Sequence, residues 1–114
     1  MNDCLFCKIV RGEIPASIVY QDDDVMAFRD IQPAAPVHVL VIPRKHFAGL
    51  ADATEEDVLL IGRLARVAAR VAEQEGVADS GYRSVVNSGP DAQQSVPHLH
   101  LHVLGGRRLT WPPG

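Results

Sequence analysis

Residues 98–104 read HLHLHVL, and this stretch decides the fold. Histidine and aliphatic residues alternate, which is typical of a β-strand because successive side chains point to opposite faces. We predict a strand His98–Leu104 whose apolar face packs on the core and carries Leu99, Leu101 and Val103. The opposite face carries His98, His100 and His102. Since burying three unpaired imidazoles is costly, we expect that face to be polar and partly accessible.

These imidazoles and the loop before them suggest chemistry on a phosphate group. Imidazole titrates near neutral pH and serves as a nucleophile, a proton donor or a metal ligand. The loop offers backbone N–H groups, a hydroxyl and carboxamides, which suit anionic phosphate oxygens, from Asn87, Gly89, Gln93, Gln94 and Ser95. Two other interpretations stay open: the loop residues are ordinary turn formers, or two of the histidines hold a metal ion.

The remaining strand and helix patterns predict the fold class. Ile18–Gln21 and Val25–Arg29 flank a polar turn and form a predicted hairpin, and Val37–Ile42 reads as a buried strand ending at a proline. Tyr82–Asn87 is a further strand, and Cys4–Val10 is a short helical turn. Together these elements predict an α+β fold with an antiparallel sheet of about five strands, one long helix and a short N-terminal helix.

The long helix has clear end signals. Thr54 is the predicted N-cap, Asp57 occupies the capping-box position, and Gly76 is the predicted stop. Apolar residues recur at helical spacing at Val58, Ile61, Leu64, Ala65, Ala68, Val71 and Ala72. Arginines 63, 66 and 70 lie on the other side, so this helix needs only a packing role on the sheet.

Composition and length exclude several classes of protein. A chain of 114 residues predicts one domain, 1–114. A formal net charge of −3 lacks the basic stripe of a nucleic-acid binder. No apolar run approaches the roughly 18 residues of a membrane span, and the first residues lack a secretory signal pattern. We therefore expect a non-exported, cytoplasmic protein that binds neither nucleic acid nor membrane.

Cys4 and Cys7 form a second motif. Two cysteines three residues apart in a reducing compartment indicate metal or redox chemistry more than a disulfide framework. Nothing near them resembles a thioredoxin βαβ unit. A tetrahedral zinc site needs two more nitrogen or sulfur ligands, which the histidines can supply. The alternative is a pair of inert thiols.

The chain as a whole resembles the histidine triad (HIT) superfamily, and its Hint-like branch in particular. HLHLHVL at 98–104 fits the His-φ-His-φ-His-φ-φ signature. The segments FRDI at 28–31, APVH at 35–38, VIPRKH at 41–46, YRSVVN at 82–87 and WPPG at 111–114 resemble the same branch, so the likeness covers nearly the whole chain. The branch commonly has glycines where Ala92 and Gln93 stand, which bears on the backbone geometry and leaving-group room at Gln93.

The resemblance implies a purine nucleoside phosphoramidase that cleaves the P–N bond of nucleoside 5′-phosphoramidates. By motif position, His100 is the nucleophile that forms a nucleotidyl-histidine, and water then hydrolyses this intermediate. His102 would bind the phosphoryl oxygens, and Ser95 would donate to the phosphate or the leaving group. Asn87 would hold the phosphate edge, and His38 matches the fourth active-site histidine.

The resemblance also implies how the nucleoside is held. Asp30 matches the carboxylate that takes both ribose hydroxyls, although it could equally begin a turn after its strand. Gln93 belongs to the loop at the phosphate. The apolar slot around the purine would consist of Leu5, Phe6, Ile9, Phe28, Ile31 and Leu40. Ordinary core packing would also explain several of these, and His38 could be a buried, hydrogen-bonded imidazole.

Two further expectations come from the bacterial type of this branch. Its zinc pattern is matched by Cys4, Cys7, His46 and His98, and the metal would be structural, so catalysis itself needs no cofactor. His98 would then clamp the neighbouring His100. The tail 105–114 would contribute to a homodimer. Two other functions stay open, a dinucleoside polyphosphate hydrolase or phosphorylase and a zinc-stabilised nucleotide-binding module with little catalysis.

Overall fold

The computed structural model describes residues 3–114. Its strands form one antiparallel sheet in the order β1-β2-β3-β5-β4. The elements in chain order are α1 (Leu5–Val10), β1 (Ile18–Gln21), β2 (Val25–Arg29), β3 (Val37–Pro43), α2 (Val58–Gln74), β4 (Tyr82–Val85) and β5 (Leu101–Gly105). The predicted α+β class, with five strands, one long helix and a short N-terminal helix, is confirmed. None of the helices within residues 3–114 combines the length and apolarity that crossing a membrane requires.

The predicted capping pair forms, but it caps a 3₁₀ turn that leads into α2 rather than α2 itself. Asp57 Oδ2 accepts the Thr54 N–H at 2.8 Å, and the Thr54 hydroxyl accepts the Glu56 N–H at 3.3 Å. Lys45 Nζ donates to Asp57 Oδ1 at 2.6 Å, so the buried carboxylate is fully partnered. A 3₁₀ turn at Glu55–Asp57 precedes the α-helix, which begins at Val58. These contacts satisfy donors that a helix start leaves open.

The end of α2 also follows the prediction, whereas its apolar face is narrower than predicted. Gly76 has φ +77°, and the Val77 N–H reaches the Ala72 carbonyl at 2.9 Å, a helix-ending pattern that favours glycine. Val58 and Ala65 were predicted on the packed face but are exposed, because the helix buries only its central stripe. The buried residues of α2 are Leu64, Val67, Ala68, Val71 and Ala72.

The sheet has two differently covered faces. We call the side under α2 the helix face; its strand residues include Val25, Ala27, Val39, Val41, Leu101 and Val103. The other side is the cleft face, and its apolar strand residues are Met26, Phe28, Leu40 and Ile42. Phe6 and Ile9 of α1 pack on part of the cleft face. Since α1 has only six residues, the rest of that face stays open for a site.

The last strand is shorter than the predicted His98–Leu104. β5 begins at Leu101, because continuing its pairing with β3 would set Leu99 opposite Pro43, which has no N–H for the ladder. The Leu99 N–H instead reaches the Phe47 carbonyl at 2.9 Å. The predicted alternation nevertheless holds, since Leu99 joins the core of the helix face.

Two other boundaries shift slightly. β4 ends at Val85 rather than at Asn87; in its register Asn87 would lie opposite His100, which precedes the first residue of β5. β3 runs to Pro43, one residue beyond the predicted end. The early end of β4 and the late start of β5 leave residues 86–100 outside any strand or helix.

Candidate functional site

A cavity of about 380 Å³ opens on the cleft face beside α1. That volume is within the usual range for a small-molecule site. All six residues of the predicted purine slot line it, namely Leu5, Phe6, Ile9, Phe28, Ile31 and Leu40, together with Asp30, Ser95, His100 and His102. Ile31, which also lines the cavity, is 94% exposed. The structure therefore brings most of the predicted site together in one cavity.

The hydrogen bonds of His100 define its tautomer. Its Nδ1 lies 2.8 Å from the His98 carbonyl oxygen, which can only accept, so Nδ1 carries the proton. In the neutral ring Nε2 then holds the lone pair. His100 was predicted to be partly accessible but is 4% exposed, because the Phe6 ring meets it edge-on at 5.2 Å. The His98 carbonyl offsets the cost of that burial.

His38 and His102 form a chain of hydrogen bonds behind the cavity. The Ala34 N–H donates to His38 Nδ1 at 3.0 Å, so His38 Nε2 carries the proton of the neutral ring. His38 Nε2 lies 2.8 Å from His102 Nδ1 and donates to it. The proton of His102 is thereby placed on Nε2, a buried atom with no hydrogen-bond partner within residues 3–114. That N–H is free to donate to a ligand oxygen.

Burial favours the neutral forms of the His38 and His102 rings. It lowers the pKa of His38, an effect that the Asp30 carboxylate partly opposes. Burial, with smaller contributions from His100 and His38, lowers the pKa of His102 to about 4. At neutral pH the 3.4 Å contact between Asp30 Oδ2 and His38 Nε2 is therefore not an ion pair.

Asp30 both begins a turn and lines the cavity. Its Oδ1 accepts the Gln32 N–H at 2.8 Å, as in an Asx turn, and its own N–H bonds to the His38 carbonyl at the end of β2. Oδ2 keeps its capacity to accept hydrogen bonds from hydroxyl groups. The turn and the ligand-binding interpretations are compatible, because each uses a different oxygen.

The loop residues are placed unequally. Ser95 lines the cavity, whereas Asn87 and Gln93 are absent from its lining within the described part of the chain. Asn87 follows β4, and the pairing of Val85 with His102 leads it toward the His100 end of the strand. Gln93 is exposed with φ +60°, a left-handed conformation that a side chain disfavours. The loop thus keeps the backbone shape that glycine would adopt.

The second predicted cluster also assembles. His98 Nδ1 lies 3.3 Å from Cys4 Sγ, 3.6 Å from Cys7 Sγ and 3.1 Å from His46 Nδ1, and Cys7 Sγ lies 3.4 Å from His46 Nδ1. In a zinc tetrahedron with bonds of about 2.0–2.3 Å, neighbouring ligand atoms are roughly 3.3–3.8 Å apart. Two thiols and two imidazoles are also the ligands that zinc prefers. The donor set and its spacing therefore fit structural zinc, the predicted cofactor.

The hydrogen bond of His98 to the backbone leaves its other ring nitrogen able to bind a metal ion. His98 is fully buried, and its Nε2 lies 2.8 Å from the Pro43 carbonyl, to which it donates. Its Nδ1 lone pair therefore points at the cluster. Metal-binding histidines commonly donate their other ring N–H to a backbone carbonyl in this way. Because the His98 carbonyl also accepts the His100 N–H, one residue joins the zinc site to the cavity.

Several lining residues were missed by sequence reasoning. Ile14, Pro15 and Ala16 border the cavity after the short helix, and Gln32 and Val96 complete its rim. The apolar Ile14-Pro15-Ala16 segment, which belongs to no strand or helix, was a usable signal. The other two positions carry none that distinguishes them from ordinary loop residues.

Comparisons with known proteins agree with this geometry. The HIT domain model matches residues 11–109. A 14 kDa zinc-binding protein of Zea mays is 52% identical over 96% of this chain and 87% of its own length. The solved HIT family hydrolase from Legionella pneumophila has a TM-score of 0.95 and 49% identity, covering 98% of this chain and 100% of that one.

A zinc-bound relative has also been solved. The Zn-bound histidine triad family protein of Mycobacterium smegmatis has a TM-score of 0.79 and 36% identity, covering 92% of this chain and 76% of that one. The fold, the histidine strand and the Cys/His cluster agree with the family match over most of the chain. The chain belongs to the HIT family, a hydrolase-type family by its solved neighbours.

Proposed function

We propose that this protein hydrolyses the P–N bond of purine nucleoside 5′-phosphoramidates, releasing a nucleoside monophosphate and an amine. The proposal rests chiefly on two nitrogens at the cavity. His100 Nε2 holds a lone pair, and His102 Nε2 carries a proton with no partner in the described chain. A nucleophile beside an oxygen-binding donor suits attack on phosphorus.

The rest of the cavity suits a purine nucleoside. Its apolar wall at Phe6, Phe28 and Leu40 would enclose the base, and exposed Ile31 would be covered by it. Asp30 Oδ2 would accept both ribose hydroxyls. The phosphate would then lie at the histidine end of the cavity, next to Ser95.

In the first step His100 Nε2 attacks phosphorus. The electron pair of the P–N bond goes to nitrogen, which leaves as an amine after taking a proton from solvent. Ser95 assists by donating a hydrogen bond to the phosphate or the leaving group, and His102 Nε2–H binds a phosphoryl oxygen. The positive charge that develops on His100 is stabilised by the His98 carbonyl, which accepts its Nδ1–H.

In the second step water attacks the nucleotidyl-His100. The P–Nε2 electron pair returns to the ring, the water oxygen stays on phosphorus, and its proton passes to solvent. The neutral His38–His102 pair keeps its donor toward the phosphoryl oxygens in both steps. Asn87 and Gln93 would act at the phosphate edge.

Zinc would have a structural part in this scheme. Cys4, Cys7, His46 and His98 would hold the ion, which would tie α1 to the segment 98–100 that leads into β5. We further propose a single domain, 1–114, that acts as a cytoplasmic homodimer, with the tail 105–114 in the interface. Trp111 of that tail is 79% exposed, which is consistent with a surface that a second copy covers.

A substrate panel tests the proposal. The protein should release amine from adenosine 5′-phosphoramidate, and His100→Ala should lower kcat by about 10⁴-fold while nucleotide binding persists. Faster cleavage of a diadenosine polyphosphate would favour that hydrolase activity instead. Nucleotide binding without any turnover would favour a binding module.

A further inference from the structure

Gln94 lies directly before Ser95, and its carboxamide is fully engaged with the backbone. Its Oε1 accepts the Gly89 N–H at 3.1 Å. Its Nε2 donates to the Ala48 carbonyl at 2.7 Å and to the Val96 carbonyl at 3.1 Å. Both N–H donors and the oxygen are used, so this side chain has no donor left for a ligand.

These bonds close the loop that carries Ser95. The Gln94 N–H donates to the Gly89 carbonyl at 3.1 Å, while the Gly89 N–H returns to the Gln94 side chain. The bond to Val96 ties the backbone on the far side of Ser95. The loop also contains Gln93 at φ +60°, a left-handed conformation that is unfavourable for a residue with a side chain. Such a loop needs fixed contacts to keep one shape.

The Gln94 carboxamide also reaches the segment that carries His46, one of the four predicted zinc ligands. Ala48, which accepts the shortest of the three bonds, is two residues from His46. The intervening Phe47 carbonyl accepts the Leu99 N–H, which anchors the same segment beside the triad. Gln94 thus connects the Ser95 loop to the segment 46–48, which contributes His46 to the Cys/His cluster and bonds to the Leu99 N–H.

We propose that Gln94 is a positioning residue: its carboxamide fixes the loop 89–96 so that Ser95 meets the phosphate of the bound nucleotide. This inference rests on the proposed nucleotide site. It assigns to Gln94 a role that acts only through the phosphate contacts, because the residues proposed to hold the base and the ribose belong to α1, β3 and the end of β2 rather than to this loop.

The test compares affinities for AMP and adenosine, which differ only by the phosphate. Gln94→Met keeps the size of the side chain and removes all three bonds. We expect it to weaken AMP binding about tenfold while adenosine binding stays unchanged, as measured by calorimetry. Gln74→Met removes a carboxamide on α2, whose bond to the Val19 carbonyl lies far from the cavity, and should change neither affinity.

A double-variant cycle separates positioning from a general loss of structure. In a Ser95→Ala background, Gln94→Met should lower AMP affinity less than threefold, because the group that it positions is already gone. An equal tenfold loss in both backgrounds, or an equal loss for AMP and adenosine, would overturn the proposal. If wild type binds AMP more tightly than adenosine but never turns over a phosphoramidate, the proposed activity fails while this test remains decisive.

Discussion

On the helix face of the sheet, Val39, Val41 and Val103 are fully buried under α2, whereas on the cleft face the same strands present His38 and His102 beside a cavity. The helix face is held by a long, well-capped helix. Within residues 3–114, the cleft face is covered by the six residues of α1 and by loop residues such as Ile14, Ala16 and Val96. A helix that short is not stable alone, so the cleft face depends on specific polar contacts and on the Cys/His cluster. The two faces should therefore respond differently to the same kind of perturbation.

Removing zinc should produce the largest change in stability, because it releases α1 from the cleft face. At a zinc concentration about 1,000 times the Kd, the metal contributes about 4 kcal/mol to the free energy of unfolding. Thermal unfolding with and without a chelator measures this difference. The Cys7→Ser variant should unfold at the temperature of the chelator-treated wild type, whether or not the chelator is present. A wild-type Tm that ignores the chelator would contradict a structural role.

A substitution that creates a cavity between α2 and the helix face should lower the free energy of unfolding without changing the catalytic rate. Leu64 is 1% exposed beneath the sheet, and Leu64→Ala should lower the free energy of unfolding by about 3 kcal/mol. Urea denaturation measures the loss, and kcat of the folded protein should stay unchanged. Leu59 is 88% exposed on the same helix, so Leu59→Ala is the matched control and should change stability by less than about 0.5 kcal/mol. A fall in kcat for Leu64→Ala would show that the two faces are coupled.

Acid should destabilise the cleft face through His102. Its pKa is about 4 in the fold, against an ordinary 6.5, so the unfolded chain binds the proton first as pH falls. The contribution of His102 to the free energy of unfolding is fully present above pH 6.5. It should fall by on the order of 2–3 kcal/mol between pH 6.5 and pH 4. The groups around this ring are Asp30, His38 and His100. His102→Gln should lose less stability than wild type over that range, and parallel pH curves for the two proteins would contradict the assignment.

The smallest effect concerns the exposed rim of the cavity. Ile31→Ser should leave Tm unchanged, because the side chain is already 94% exposed, yet weaken nucleotide binding about tenfold by removing apolar contact with the base. Calorimetry with AMP measures the affinity. An unchanged affinity would place the purine elsewhere.

The parts of the fold that local sequence determines were predicted well. The Thr54–Asp57 cap and the Gly76 stop involve neighbours within a few residues, so the sequence displays the whole interaction. The alternation of residues 98–104 correctly separated the core side chains from the imidazoles. The Cys/His cluster and the cavity lining were predicted from the family resemblance, which already encodes contacts between distant segments.

Three of the wrong expectations involve contacts between segments far apart in sequence. The strand starts at Leu101 rather than at His98 because Pro43 cannot continue the ladder. His100 is buried because α1, more than 90 residues earlier, folds over it. Gln94 reads as a ligand-binding carboxamide in the sequence, yet its partner Ala48 consumes that capacity. A local sequence pattern does not show which distant residue a side chain will contact.

Trapping the covalent intermediate tests the central claim most directly. Adenosine 5′-phosphoramidate mixed with the protein and quenched within milliseconds should give a protein heavier by one adenylyl group. Peptide mass spectrometry should locate that group on His100, and His102→Gln should still form the adduct. Steady turnover with no adduct at His100, or an adduct that persists in His100→Ala, would contradict the account.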